Sequence, residues 1–142
     1  DAKATFGFDF ECLNTSRFGT DSAEGMITYH DHGLKLGVFD DTTFTGKDAK
    51  KKLAFNAMIT RPEGVSEADV CKNIAWFGSY VGTYTPIPPN LGPGGDMYVY
   101  VEDSGDQGPD KDDYLYIELS GGIFDGYMNE GTPGGGNIVL QD

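Results

Sequence analysis

The densest group of residues able to do chemistry runs Glu102-Asp103-Ser104-Gly105-Asp106-Gln107-Gly108-Pro109-Asp110-Lys111-Asp112-Asp113. Between Asp96 and Asp113 seven acids accompany one base, Lys111, which places −6 of a net charge of −13 in 18 residues. Carboxylates this crowded repel one another unless water, salt or a cation neutralises them. Calcium takes roughly six to eight oxygen ligands and would suit such a loop. Asp103, Asp106, Asp110 and Asp112 are then the expected ligands. The spacing fits neither an EF-hand loop nor the glycine-rich repeat of calcium β-rolls, so a solvated hairpin loop is the simpler reading. No cofactor is required.

His30-Asp31-His32 forms a second group. On a strand, residues 30 and 32 face the same side, so both imidazoles could reach one zinc or copper ion. No third ligand accompanies them, and a turn at a strand end is the expected role. Templates for catalysis are missing: there is no G-x-S-x-G elbow, H-E-x-x-H, P-loop or dinucleotide glycine fingerprint. The 23 acids always offer pairs for glycoside hydrolysis, but nothing singles one out. The expectation is a protein that is not an enzyme.

A third group points to contact. Tyr98, Tyr100, Tyr114 and Tyr116 alternate with Val99, Val101, Leu115 and Ile117 on two segments that read as a hairpin. The tyrosines then share one face and make a flat aromatic patch, with Trp76 as a further contact residue. Tyrosine offers both apolar area and a hydroxyl, as stacking on sugar rings or on another subunit requires. Lys47, Lys50, Lys51 and Lys52 gather much of the scarce positive charge. A basic tip and an acidic tip on one domain could dock head to tail.

The elements that must position these groups show alternation of period two. Phe6, Phe8 and Phe10 mark a first strand and residues 25–30 a second, through Met26, Ile27 and Tyr29. Leu34, Leu36 and Val38 predict a third. Leu53, Phe55, Ala57 and Ile59 predict a fourth, stopped by Arg61-Pro62, because proline cannot donate to a ladder. Met97, Val99 and Val101 pair with Leu115, Ile117 and Leu119, and Ile138 and Leu140 close the chain. Short strands separated by Gly/Pro turns predict an all-β fold: an antiparallel β-sandwich, or partly open barrel, of about eight or nine strands. One domain spans 1–142. Residues 63–95 read as an irregular insertion, with a short helical turn begun by Ser66 and a Pro/Gly-rich connector through Gly95.

Composition excludes several classes. The chain has 142 residues, 23 acids against 10 bases, 21 Gly and 7 Pro, with 13% aromatic residues. The aromatics argue against disorder, and the acidity against a nucleic-acid ligand, which needs a Lys/Arg footprint. No apolar run approaches the ~18 residues of a membrane helix. Cys12 and Cys71 are the only pair available, and a disulfide between them would close a long loop and stabilise by roughly 4 kcal/mol. With the sequence opening on Asp1 rather than Met, as a processed chain or a fragment would, the expectation is secretion. Asn14-Thr15-Ser16 is a glycosylation sequon.

Four motifs occur in a telling order: Ala4-Thr5-Phe6-Gly7-Phe8; Tyr29-His30-Asp31-His32-Gly33-Leu34-Lys35; Val99-Tyr100-Val101-Glu102-Asp103-Ser104-Gly105-Asp106-Gln107-Gly108; and Gly134-Gly135-Gly136-Asn137-Ile138. In that order they resemble the post-COAP domains, modules of secreted and surface proteins of bacteria. The resemblance covers nearly the whole chain except residues 63–95, where Cys71 departs from the pattern. It implies a fold and an extracellular, cell-surface address rather than a chemistry. The expected function is a non-enzymatic structural module. It would assemble with copies of itself into a filament or matrix, through aromatic contacts and an edge strand at residues 5–11, which carries Phe6, Phe8 and Phe10. The alternative is an adhesion module that binds carbohydrate or protein, with calcium assisting.

Overall fold

The computed structural model describes residues 4–15, 20–62, 77–102, 114–131 and 137–141. They are mostly antiparallel β with little helix. The strands are β1 (Ala4–Thr15), β2 (Thr20–Lys35), β3 (Lys52–Pro62), β4 (Phe77–Pro86), β5 (Gly95–Glu102), β6 (Tyr114–Ser120), β7 (Met128–Gly131) and β8 (Asn137–Gln141). One helical turn, α1 (Leu36–Phe39), follows β2, and short 3-10 turns occupy Asp48–Lys50 and Pro89–Leu91. Hydrogen bonding joins the strands in the order β7-β6-β5-β4-β3-β2-β1-β8. Every neighbouring pair is antiparallel except β1 and β8.

From β2 to β7 the sheet curls into a half-barrel, as the fixed right-handed twist of strands favours. Alternation sends one set of side chains to the concave side. There Ile27 and Tyr29 of β2, Phe55, Ala57 and Ile59 of β3, and Tyr80 and Tyr84 of β4 are buried. Met97, Val99 and Val101 of β5 and Leu115, Ile117 and Leu119 of β6 complete the lining. No second sheet covers this face among the described residues. Two loops enclose it instead. Residues 36–44 bring in Leu36, Phe39 and Phe44, and the turn between β6 and β7 brings in Phe124 and Tyr127. Phe124 stacks on Tyr84 with ring centroids 5.7 Å apart and lies edge-on to Phe39 at 6.3 Å. Burying each such ring stabilises by roughly 1.5–3 kcal/mol.

Three sequence expectations change. Residues 34–38 do not form a separate strand: β2 ends at Lys35, and the chain turns helical at Leu36. The Leu36 N–H donates to the Lys51 carbonyl at 2.8 Å. The Asp40 carboxylate then stops the turn by accepting the backbone N–H and hydroxyl of both Thr42 and Thr43. Leu36 is buried, while Val38 points outward, 76% exposed.

Residues 77–86, read as part of an insertion, form β4 at the centre of the curl. Gly82 stands opposite both Ile59 and Met97 there, and a Cβ on it would lie 1.9 Å from the Met58 carbonyl oxygen. Only glycine fits that close approach, and its lack of a side chain hides the alternation. Residues 63–76 lie outside the described residues.

The N-terminal strand is not an open edge along its middle. β1 pairs β2 over its whole length, and β8 adds in parallel at residues 7–11. The outer positions of the sheet belong to β7 and β8.

Candidate functional site

Two places bring functional groups together: the junction where the curl closes, and the convex face of β4 to β7.

The closure begins from an inward position that is polar. Along β2, residues 27, 29 and 31 face the core, and the third is Asp31, 7% exposed. Its Oδ1 accepts the Gly33 N–H at 2.9 Å, at a register irregularity between Asp31 and Lys35 that lies within β2, so the strand-end turn expected at residues 30–32 is not formed there. Its Oδ2 accepts the Tyr127 hydroxyl at 2.7 Å. Because Tyr127 spends its proton on Asp31, its oxygen accepts from the Tyr29 hydroxyl, 2.7 Å away. The Tyr29 oxygen accepts from Asn129 Nδ2 at 2.8 Å. The chain Asn129, Tyr29, Tyr127, Asp31 therefore runs in one direction and bonds β7 and its leading turn to β2, across the mouth of the half-barrel.

Burial holds the Tyr29 and Tyr127 hydroxyls protonated, well above the usual phenol range. A cleft of about 440 Å³ opens beside them, lined by Asp31, Leu34, Phe39, Tyr127 and Asn129 among others. The Asp31 oxygens and the Tyr127 hydroxyl are spent on one another and on the backbone. The group is a clasp in its chemistry, with no nucleophile set against a base.

The convex face is different. By register, Met26, Met58, Thr83, Asp96 and Ser120 form one cross-strand row. Arg61, Val81, Tyr98, Glu118 and Met128 form the next, and Ser79, Tyr100, Tyr116 and Glu130 the one after. The four tyrosines expected to share a face do so, each half-buried. Tyr98 and Tyr116 meet edge to face at 6.1 Å, and Tyr100 and Tyr114 tilt together at 6.2 Å. Such pairs add roughly 0.5–1.5 kcal/mol beyond buried area.

Three of their hydroxyls are tethered. Tyr100 donates to Glu102 at 2.7 Å, Tyr114 donates to Glu130, and the Tyr98 hydroxyl shares a proton contact with Ser79 Oγ at 2.8 Å. The bond to Glu102 raises the Tyr100 pKa, and the bond to Glu130 pushes Tyr114 up to about 12. Both are donors at neutral pH. Four large apolar residues are exposed among the described ones, and three of them, Met26 (59%) on β2, Met58 (64%) on β3 and Met128 (56%) on β7, lie on the convex side of the sheet. In the sequence Met26 reads only as an apolar member of the second strand, and nothing marks Met58 or Met128.

A depression of about 400 Å³ interrupts the face beside Tyr98, lined by Val81, Thr83, Asp96 and Ser120 with the backbone of β4 and β5.

The other expected site residues distribute as follows. Asp103, Asp106, Asp110, Asp112, Cys71 and Trp76 lie outside the described residues. Phe6, Phe8, Phe10, Cys12 and Asn14 lie on β1, with Phe6 opposite Tyr29, Phe8 opposite Ile27 and Cys12 opposite Ala23. His30 and His32 stack with centroids 6.0 Å apart. No group of three or more His, Cys, Asp or Glu suited to a metal occurs among the described residues. Lys51 pairs with Asp48 at 2.9 Å. Among the described residues no helix is long and apolar enough to cross a membrane. In comparisons with family models, curated proteins and solved structures, the chain matches none.

Proposed function

We propose that this chain is a non-enzymatic extracellular contact module, a partly open barrel of the post-COAP kind, that adheres through the convex face of β4 to β7. One observation carries the reading: four tyrosines, three of them with tethered hydroxyls, and two exposed methionines, Met58 and Met128, share the solvent side of a sheet whose other side is filled by the core. Exposed apolar area gathered on one face marks a contact surface. Tethered rings lose little further side-chain entropy on binding.

Carbohydrate suits this face better than a second copy of the face itself. Asp96, Glu102, Glu118 and Glu130 all stand on it, so two such faces would bring like charges together. The same carboxylates are strong acceptors for sugar hydroxyls. A second reading, head-to-tail assembly, draws on the basic corner. Lys35 stands opposite Lys52, near Lys47, Lys50 and Lys51 in the chain, and could meet the acidic face of another copy.

The double variant Tyr100→Ser/Tyr116→Ser separates these readings. Its urea midpoint should stay within about 1 M of the parent, given cross-strand pairs worth ~0.2–1 kcal/mol each. Sedimentation with insoluble neutral polysaccharide should lose the protein from the pellet. Undiminished pelleting would refute the tyrosine face as the contact. Salt-sensitive polymers seen by electron microscopy, with no polysaccharide binding, would favour assembly.

A further inference from the structure

The depression beside Tyr98 has the parts of a site for a single sugar ring. Thr83, Asp96 and Ser120 stand directly opposite one another on β4, β5 and β6, which puts neighbouring Cβ atoms about 4.5–5.5 Å apart. The three polar side chains are exposed and make no side-chain hydrogen bond within the described residues. They differ in this from the Asp31–Tyr127 pair at the clasp. Tyr98 lies two residues along β5 from Asp96, on the same face. Its hydroxyl is fixed by Ser79, 2.8 Å away, and its ring by Tyr116. An immobile aromatic wall therefore adjoins two hydroxyls and a carboxylate, in a hollow of about 400 Å³.

We infer that this hollow binds one pyranose unit of a neutral or amino-bearing polysaccharide. The C–H face of the ring lies on Tyr98, Asp96 accepts two adjacent hydroxyls, and Thr83 and Ser120 complete the set. A carboxylate acceptor pairs with sugar O–H groups, and more strongly with an ammonium. It repels a uronic acid, as does Glu118, directly opposite Tyr98. The inference rests on the adhesion reading and narrows it from a face to a pocket and a sugar charge.

The test is isothermal titration of the intact protein with three soluble oligosaccharides: a glucose oligomer, a glucosamine oligomer and a galacturonate oligomer. The parent should bind the first two and not the third. Tyr98→Ala should weaken both at least tenfold. Asp96→Asn should weaken the glucosamine oligomer several-fold more than the glucose oligomer. Because Asp96 is exposed, its urea midpoint should not change, so loss of binding cannot be ascribed to unfolding. Binding of galacturonate equal to that of glucose would overturn the inference, as would binding indifferent to both substitutions. Should Tyr100→Ser/Tyr116→Ser abolish adhesion while Tyr98→Ala and Asp96→Asn do not, the pocket fails and the face survives.

Discussion

Replacing Tyr127 with Phe removes one oxygen from the middle of the clasp and leaves the ring in place. The hydroxyl donates to Asp31 Oδ2 at 2.7 Å and accepts from Tyr29 at 2.7 Å, in a residue 3% exposed. The bond to the carboxylate is of the charge-assisted class, worth about 1.5–3 kcal/mol, and the bond from Tyr29 is of the neutral class, near 1 kcal/mol. The sum is a loss of roughly 2.5–4 kcal/mol, much of it from a buried carboxylate oxygen deprived of its donor. Tyr29→Phe removes two neutral bonds and should cost about 1–3 kcal/mol. The bond between the two tyrosines is counted in both single variants, so the double variant should fall short of their sum by ~1 kcal/mol. Urea unfolding followed by circular dichroism measures all three. With a slope of about 1–3 kcal/mol/M, Tyr127→Phe should lower the midpoint by at least ~1 M. A loss under ~0.5 kcal/mol, or strict additivity in the cycle, would show that the clasp does not hold the curl closed.

Three further outcomes follow from the same geometry. Gly122→Ala should destabilise by more than ~2 kcal/mol in the same unfolding assay. Its φ is +70° and an added Cβ would lie 2.4 Å from the Gly94 oxygen and 2.6 Å from the Tyr84 hydroxyl. At high pH, burial holds Tyr80 up to about 12 and raises Tyr29. A raised folded pKa keeps stability intact below about 10 and removes it as pH climbs through the folded value. Tyrosinate absorbance for these rings should therefore appear together with the loss of circular dichroism, and a smooth non-cooperative rise would contradict their burial. At low pH the sign reverses. The Thr43 and Thr42 hydrogen bonds hold Asp40 near 2, so its contribution is present above about 4 and lost as pH falls toward 2. Asp40→Asn should flatten the acid limb of a stability–pH curve.

Where the alternation of apolar residues is unbroken, the sequence is readable. Met97, Val99 and Val101 of β5, and Leu115, Ile117 and Leu119 of β6, are buried in strict period two, and the tyrosine face follows from them by parity. β4 escapes because two of its inward positions, Gly78 opposite Val101 and Gly82 opposite Met97, carry no side chain. What remains is Tyr80 and Tyr84, four residues apart, which reads as no strand at all. Leu36 and Val38 mislead in the opposite sense: period two continues there, but the Lys51 carbonyl and the Asp40 carboxylate decide the backbone. The clasp was out of reach, since Asp31 and Tyr127 are 96 positions apart. Its one local sign was an acid at the third inward position of β2. The depression at Tyr98 depends on which outward polar residues fall into one row, and that needs the register.

The parallel pairing of β1 with β8 has a mechanical consequence. Residues 7–11 lie alongside 137–141, and the two strands run the same way. A pull applied through Ala4 and Gln141 drags the strands past each other along their length. All the bonds of that ladder then share the load at once, instead of opening one after another as they would in a peeled hairpin. If the domain adheres as proposed, this geometry would set its resistance to tension by a rate of rupture rather than by equilibrium stability, and the short β1–β8 ladder is the part that would bear it.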